Sequence, residues 1–156
     1  VIDELDDIPV QLADQIAVSL NAQFAGEFSA VRSFIPEHEL QQLAALKVSI
    51  IPGGLEASEL LDDDFTQDDN QVGVAFQKRV NRSSDEEARE VLRLVRRVRK
   101  WISRNRLIEI GDEQFAIIDM RQEPYVDAEL LESGHLFSGL VLTIRHLEDL
   151  SEDDPA

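Results

Sequence analysis

"HLFSGLVLTIRHLE" (residues 135–148) is the stretch on which the fold turns. At its middle Leu140, Val141 and Leu142 are consecutive apolar residues, so an extended segment here is apolar on both faces. That pattern belongs to a strand central in a sheet, with cover on both sides. A central strand needs neighbours, and the upstream sequence offers several. "QVGVAFQKRV" (71–80) sets Val72, Val74, Phe76 and Val80 on one side. "LKVSIIP" (46–52) alternates Leu46, Val48 and Ile50 against Lys47 and Ser49, with an expected stop at Pro52-Gly53-Gly54. "EFSAVRSFIP" (27–36) reads as a strand ending at Pro36, where the ladder loses a donor. "LIEIGDEQFAIIDM" (107–120) resembles a hairpin turning at Gly111-Asp112. Between them, residues 55–71 suggest a weak edge strand followed by an acidic loop, "DDDFTQDDN" (62–70).

Two longer segments carry helical spacing. Leu12, Ile16, Leu20 and Phe24 form a four-residue ladder behind Pro9, with Asp6 or Asp7 as the N-terminal acid and Gly26 as the stop. After Ser83, Ser84 and Asp85 as candidate caps, Val91, Val95, Val98 and Ile102 fall on one line of a long helix, flanked by Leu92, Leu94 and Trp101. Short helical turns are expected in "PEHELQQLAAL" (36–46) and in "DAELLESG" (127–134), the latter ending at Gly134. Long helices with five to seven mostly antiparallel strands make an α+β fold, a sheet packed by an N-terminal helix and a long central helix. Residues 1–148 are expected to form one domain and 149–156 an acidic, disordered tail.

Charge is the second organising feature. The formal net charge is −17, yet eleven of the fifteen Lys and Arg residues lie between Lys78 and Arg106, against four acids. On the long helix Arg89, Arg93, Arg96, Arg97, Lys100 and Arg104 fall opposite the valine line, giving a basic ridge on an acidic body. Binding of DNA through that ridge is opposed by the negative remainder and lacks interleaved aromatic residues for single strands. A protein contact suits it better. A two-fold contact would set arginines against arginines, whereas head-to-tail association brings the ridge to an acidic surface on the next copy, and such a contact, where it closes, makes a ring. Asp62, Asp63, Asp64, Asp68 and Asp69 are the candidates for that acidic face, or for the bore of the ring.

Other chemistries find little purchase. With no cysteine, disulfides and thiolate metal sites are excluded. His38, His135 and His146 are far apart and form no metal-binding spacing. Counting from Asp62 as a calcium loop, the sixth position is Gln67 instead of Gly and the twelfth Gly73 instead of Glu. Gly53-Gly54 lacks the Lys-Ser/Thr ending of a phosphate loop. No nucleophile motif is present, so the expectation is a protein that is not an enzyme and takes no cofactor. No apolar run approaches a bilayer span. The acidic opening "VIDELDDIPV" is unlike a secretory signal, so synthesis in the cytoplasm is expected.

The order of the segments resembles the tail terminator (tail completion) proteins of tailed bacteriophages. The blocks are "VSLNAQF" (18–24), "RSFIP" (32–36), "LAALKVSIIPGG" (43–54), "QVGVAFQKRV" (71–80), the long helix, and "EPYVDAELLESGHLFSGLVLTIR" (123–145), together covering residues 9–147. The resemblance implies an α+β protomer in a six-fold ring that caps the tail tube, ends its polymerisation and joins the tail to the neck. The implied partners are further copies of the chain, the tail tube protein, a neck or stopper protein and, in a contractile phage, the sheath protein. DNA would pass through the ring without specific binding, and the implied location is the virion. Another neck protein, a connector or stopper, is the nearest alternative; a nucleic-acid-binding module is a more distant one. The family carries no catalytic motif, and the acidic 62–70 segment and acidic tail have no counterpart in it.

Overall fold

The computed structural model describes residues 7–35, 40–81, 83 and 85–149. It is α+β, with three helices and one mostly antiparallel six-stranded sheet. In chain order the elements are α1 (Ile8–Gln23), β1 (Ala30–Arg32), a short 3-10 turn (Leu40–Ala44), β2 (Lys47–Leu60), β3 (Phe65–Arg79), α2 (Glu86–Arg104), β4 (Leu107–Ile110), β5 (Glu113–Gln122), α3 (Ala128–Glu132) and β6 (His135–Asp149). The strands lie in the order β1-β2-β3-β6-β5-β4, and only the β1–β2 pair is parallel. Strand β6 is thus interior, as the apolar run at 140–142 requires.

One continuous core joins both long helices to the sheet. Leu12, Ile16, Leu20 and Phe24 of the first segment, and Val91, Val95, Val98 and Ile102 of α2, are buried with Val72, Val74 and Phe76 of β3 and Leu140, Leu142 and Ile144 of β6. Asp7 starts α1 by accepting from Val10 N at 3.4 Å, with Pro9 in the first turn, where no amide donor is needed. Helix α2 starts at Asp85, whose side chain makes no capping bond; Ser83 instead hydrogen-bonds Asn81, and Ser84 lies outside the described residues. Its first turn holds Glu86 and Glu87 and its last turn Arg104, charges that oppose the helix dipole at both ends.

Several sequence expectations need correction. The strand expected at 27–36 is only Ala30–Arg32 long. Phe28 is drawn instead into an aromatic cluster, stacked on Phe24 and edge-on to Phe76, which keeps the preceding chain out of the ladder. Pro36 and His38 lie outside the described residues. Strand β2 does not stop at Pro52-Gly53-Gly54 but bends there and runs on to Leu60. The reason is which way Pro52 faces. Ile50 presents its carbonyl to Ser33 N, away from β3. Pro52, two residues later, points the same way, beyond the end of β1, so its missing amide costs no ladder bond. Gly54, at φ +88°, absorbs the register shift.

The acidic "loop" is the largest correction. Only residues 61–64 form the turn; Phe65 already belongs to β3, so Asp68 and Asp69 are strand residues. The turn is closed by Asp62, whose carboxylate accepts from the amides of Asp64 (2.8 Å) and Phe65 (3.0 Å). Strand β6 extends to Asp149, one residue into the expected tail, and residues 150–156 lie outside the described set. The hairpin at Gly111-Asp112 and the helix ending at Gly134 stand where the sequence puts them, with Gly111 at φ +59° and Gly134 at φ +82°.

Candidate subunit interface

All six residues of the expected ridge, Arg89, Arg93, Arg96, Arg97, Lys100 and Arg104, are exposed on α2. They do not behave alike. Arg97 is engaged within its own chain: its guanidinium donates to both oxygens of Glu27, with Nη2–Oε2 at 3.1 Å, and lies 5.7 Å from the Phe24 ring centroid. The hydrogen bond to Glu27, and then its charge, raise the Arg97 pKa further above its ordinary value. Arg93 pairs with Glu86 on the preceding turns at 3.3 Å. Arg89, Arg96, Lys100 and Arg104 make no ion pair with any described carboxylate. The ridge therefore keeps four cations along one helix face that pair with no described carboxylate. Arg106, just past the helix, donates only to the Ser103 carbonyl, at 3.2 Å, and extends the basic line toward β4.

The acidic candidates divide more sharply. Asp69 is withdrawn from any partner surface, because Arg145, directly opposite on β6, clasps it with two hydrogen bonds of 2.9 and 3.1 Å. That contact raises the Arg145 pKa against the effect of burial. Asp68 is buried and accepts from the Ser58 hydroxyl. Asp62 is exposed but occupied with its turn. Asp63 and Asp64 remain exposed at the hairpin tip. What sequence reasoning missed is that Glu56 and Glu59, exposed on the far half of β2, belong to the same projecting structure. The weak edge strand expected within 55–71 is present at 55–60, but only the structure shows that it continues β2 past Pro52 and is not a separate element.

The acidic end of the molecule is thus the β2–β3 arm, bearing Glu56, Glu59, Asp62, Asp63 and Asp64. The basic line lies on α2 and reaches the start of β4, the last strand on the opposite edge of the sheet. Opposite charges sit on separate elements, and neither set is fully neutralised among the described residues.

Neither His135 nor His146 belongs to a cluster of metal-ligating side chains among the described residues, and His38 lies outside them. His146 is buried, hydrogen-bonded to Glu113 at 2.8 Å and stacked on Phe115, so it serves the packing between β5 and β6. No cluster of three or more metal-ligating side chains occurs among the described residues. Among those residues, no helix is long and apolar enough to cross a membrane. No family model matches the sequence, and no curated protein matches it.

Proposed function

We propose that the protein is a virion structural protein that caps a phage tail tube as a ring, ends tube polymerisation and joins the tail to the neck. The observation that carries this reading is the charge separation. Arg89, Arg96, Lys100 and Arg104 pair with no described carboxylate on α2, while Glu56, Glu59, Asp63 and Asp64 are exposed on the β2–β3 arm. Surfaces of this kind attract the opposite surface of the next copy and repel their own, which selects head-to-tail contacts over two-fold ones. A head-to-tail contact whose rotation divides a full turn evenly, with no rise along the axis, makes a closed ring.

Such a ring acts by geometry and not by turnover. Its lower rim mates with the last layer of tube subunits and offers no surface on which another layer can grow. Its upper rim presents the neck proteins, and in a contractile tail the sheath, with a docking surface. The net charge of −17 supports a bore that DNA slides through, because phosphates meet like charge instead of arginine clamps.

The test reverses ridge cations. Arg89→Glu, Arg96→Glu and Lys100→Glu alter exposed side chains that pair with no described carboxylate and leave Arg104 at the helix C-terminus, so the folded monomer keeps its circular dichroism and melting behaviour. In the encoding phage the expected result is tails that fail to join heads, with a large fall in infectious yield. Wild-type yield from the triple variant overturns the proposal.

A further inference from the structure

A sheet must do something with its edges, because each unpaired edge offers a row of free amides and carbonyls. On one side, β1 is closed: the Asn21 side chain donates to the Ala30 carbonyl at 2.9 Å and accepts from the Ala30 amide at 2.6 Å. Beyond it β1 pairs with β2 only at Val48–Ile50, so the far half of β2 has no partner on its outer side among the described residues. On the other side the sheet ends at β4, which pairs with β5 alone.

Hydrogen-bond alternation tells which backbone groups are free. The bond from Leu61 N to Phe65 O directs Glu59 and Ala57 toward β3, so Ser58 and Leu60 turn their amides and carbonyls outward. The bond from Ile117 N to Arg106 O directs Ile108 and Ile110 toward β5, so Leu107 and Glu109 turn outward. These two open stretches lie on one row of the sheet. Leu107 is opposite Ala116, Ala116 opposite Arg145, Arg145 opposite Asp69, and Asp69 opposite Ala57. Each stretch is four residues long, and each carries a leucine held in water, Leu60 at 63% exposure and Leu107 at 71%.

We infer that residues 57–60 of one copy add as a strand to residues 107–110 of the next, so that the sheet continues from subunit to subunit. This rests on the ring reading above and names its mating surface. Because both edges sit on the same row, successive copies are joined with little displacement along the strands, the condition for closing a ring instead of climbing into a helix. Charge selects the occupant. Two β2 edges paired with each other would bring Glu56 and Glu59 against their own duplicates. The β4 edge instead follows directly on Arg104 and Arg106; its one acid, Glu109, falls level with Glu59, so the attraction rests on Glu56 meeting the arginines. Main-chain bonds supply the affinity, and the two leucines are covered on opposite faces of the continued sheet, Leu107 beside Ala57 and Leu60 beside Ile110.

The absence of cysteine makes the test clean. Ala57 and Glu109 both lie on the sheet face away from the long helices and are exposed. The Ala57→Cys, Glu109→Cys double variant, treated with a short bismaleimide at low salt and high protein concentration, is expected to give a ladder of covalent oligomers. Either single variant gives none. In parallel, Glu56→Arg abolishes the sedimenting oligomer, and adding Arg106→Glu recovers it. Dimers from Ala57→Cys alone would mean that β2 pairs with β2 and overturn the inference. Rings that form normally but never cross-link would overturn strand addition and leave the ring reading intact. A chain that stays monomeric and whose ridge reversal leaves infectious yield untouched overturns both.

Discussion

Arg97 and Glu27, seventy positions apart, form a two-pronged ion pair that ties the middle of the long basic helix to the end of the first helix. Because the guanidinium also lies over Phe24, the pair sits on the aromatic cluster of Phe24, Phe28 and Trp101. Arg97 is therefore an anchor of the fold and not a spare cation of the ridge. Both partners are well exposed, so salt screens the attraction. Glu27→Gln is expected to lower the melting temperature slightly at low salt, with the difference from wild type vanishing at high salt. A thermal melt in the two buffers checks it; a deficit that persists at high salt would place the contribution in packing instead.

Asn21 offers a harder test, because it serves a buried backbone. Its amide group occupies both the N–H and the C=O of Ala30, which is 4% exposed and has no strand on that side. Asn21→Leu leaves a donor and an acceptor unsatisfied, and each costs about 1–3 kcal/mol. Urea unfolding should show a lower midpoint with an unchanged slope. Since β1 is only three residues long, amide exchange at Val31 and Arg32 should also rise well above wild type.

Gly139 is fixed by a neighbour and not by its own dihedral angles. A Cβ there would stand 2.8 Å from the Glu123 carbonyl oxygen, which is backbone and cannot swing aside. The same residue exchanges backbone bonds with this segment, Glu123 N to Gly139 O at 2.8 Å and Gly139 N to Pro124 O at 3.0 Å. Gly139→Ala is expected to destabilise by about 1–3 kcal/mol, the usual cost of overpacking. Gly73→Ala is the control, since its nearest new contact is 3.8 Å away. Equal effects from the two changes would contradict the geometric explanation.

How legible this molecule is from its sequence depends on what each segment was read for. The buried line Val91, Val95, Val98, Ile102 and the alternation at Val72, Val74 and Phe76 stand in the core as spacing requires, because burial imposes the helical and strand periods directly. The arm was only half legible, a weak strand being expected in 55–71 but not its continuity with β2 or the strand at 65–70, for the opposite reason. From Gly53 to Asn70 the chain is polar and rich in acids, which lowers strand propensity, and what holds it extended is cross-strand: Arg145 on Asp69, Ser58 on Asp68, Asp62 on its own turn. Arg145 is seventy-six positions from Asp69, so no local window could contain both. The site was half legible in the same sense. Helical spacing put six cations on one face, but only the fold reveals that Glu27 and Glu86 neutralise two of them.

That division of the acids leads to the last prediction. Asp69 and Asp63, six positions apart, carry the same side chain but belong to different parts of the physics. Asp69 is mostly shielded and bridges β3 to β6 through Arg145; Asp63 stands in water at the hairpin tip. Asp69→Asn should lower the melting temperature, because the Arg145 cation loses the opposite charge that compensates its partial burial. Asp63→Asn paired with Asp64→Asn should leave the melt unchanged, since neither side chain bonds to a described residue, and should instead weaken low-salt self-association in sedimentation velocity. The two readouts separate cleanly. If removing Asp63 and Asp64 lowers stability while assembly persists, the hairpin tip belongs to the fold's own support and the acidic contact surface must be sought on Glu56 and Glu59 alone.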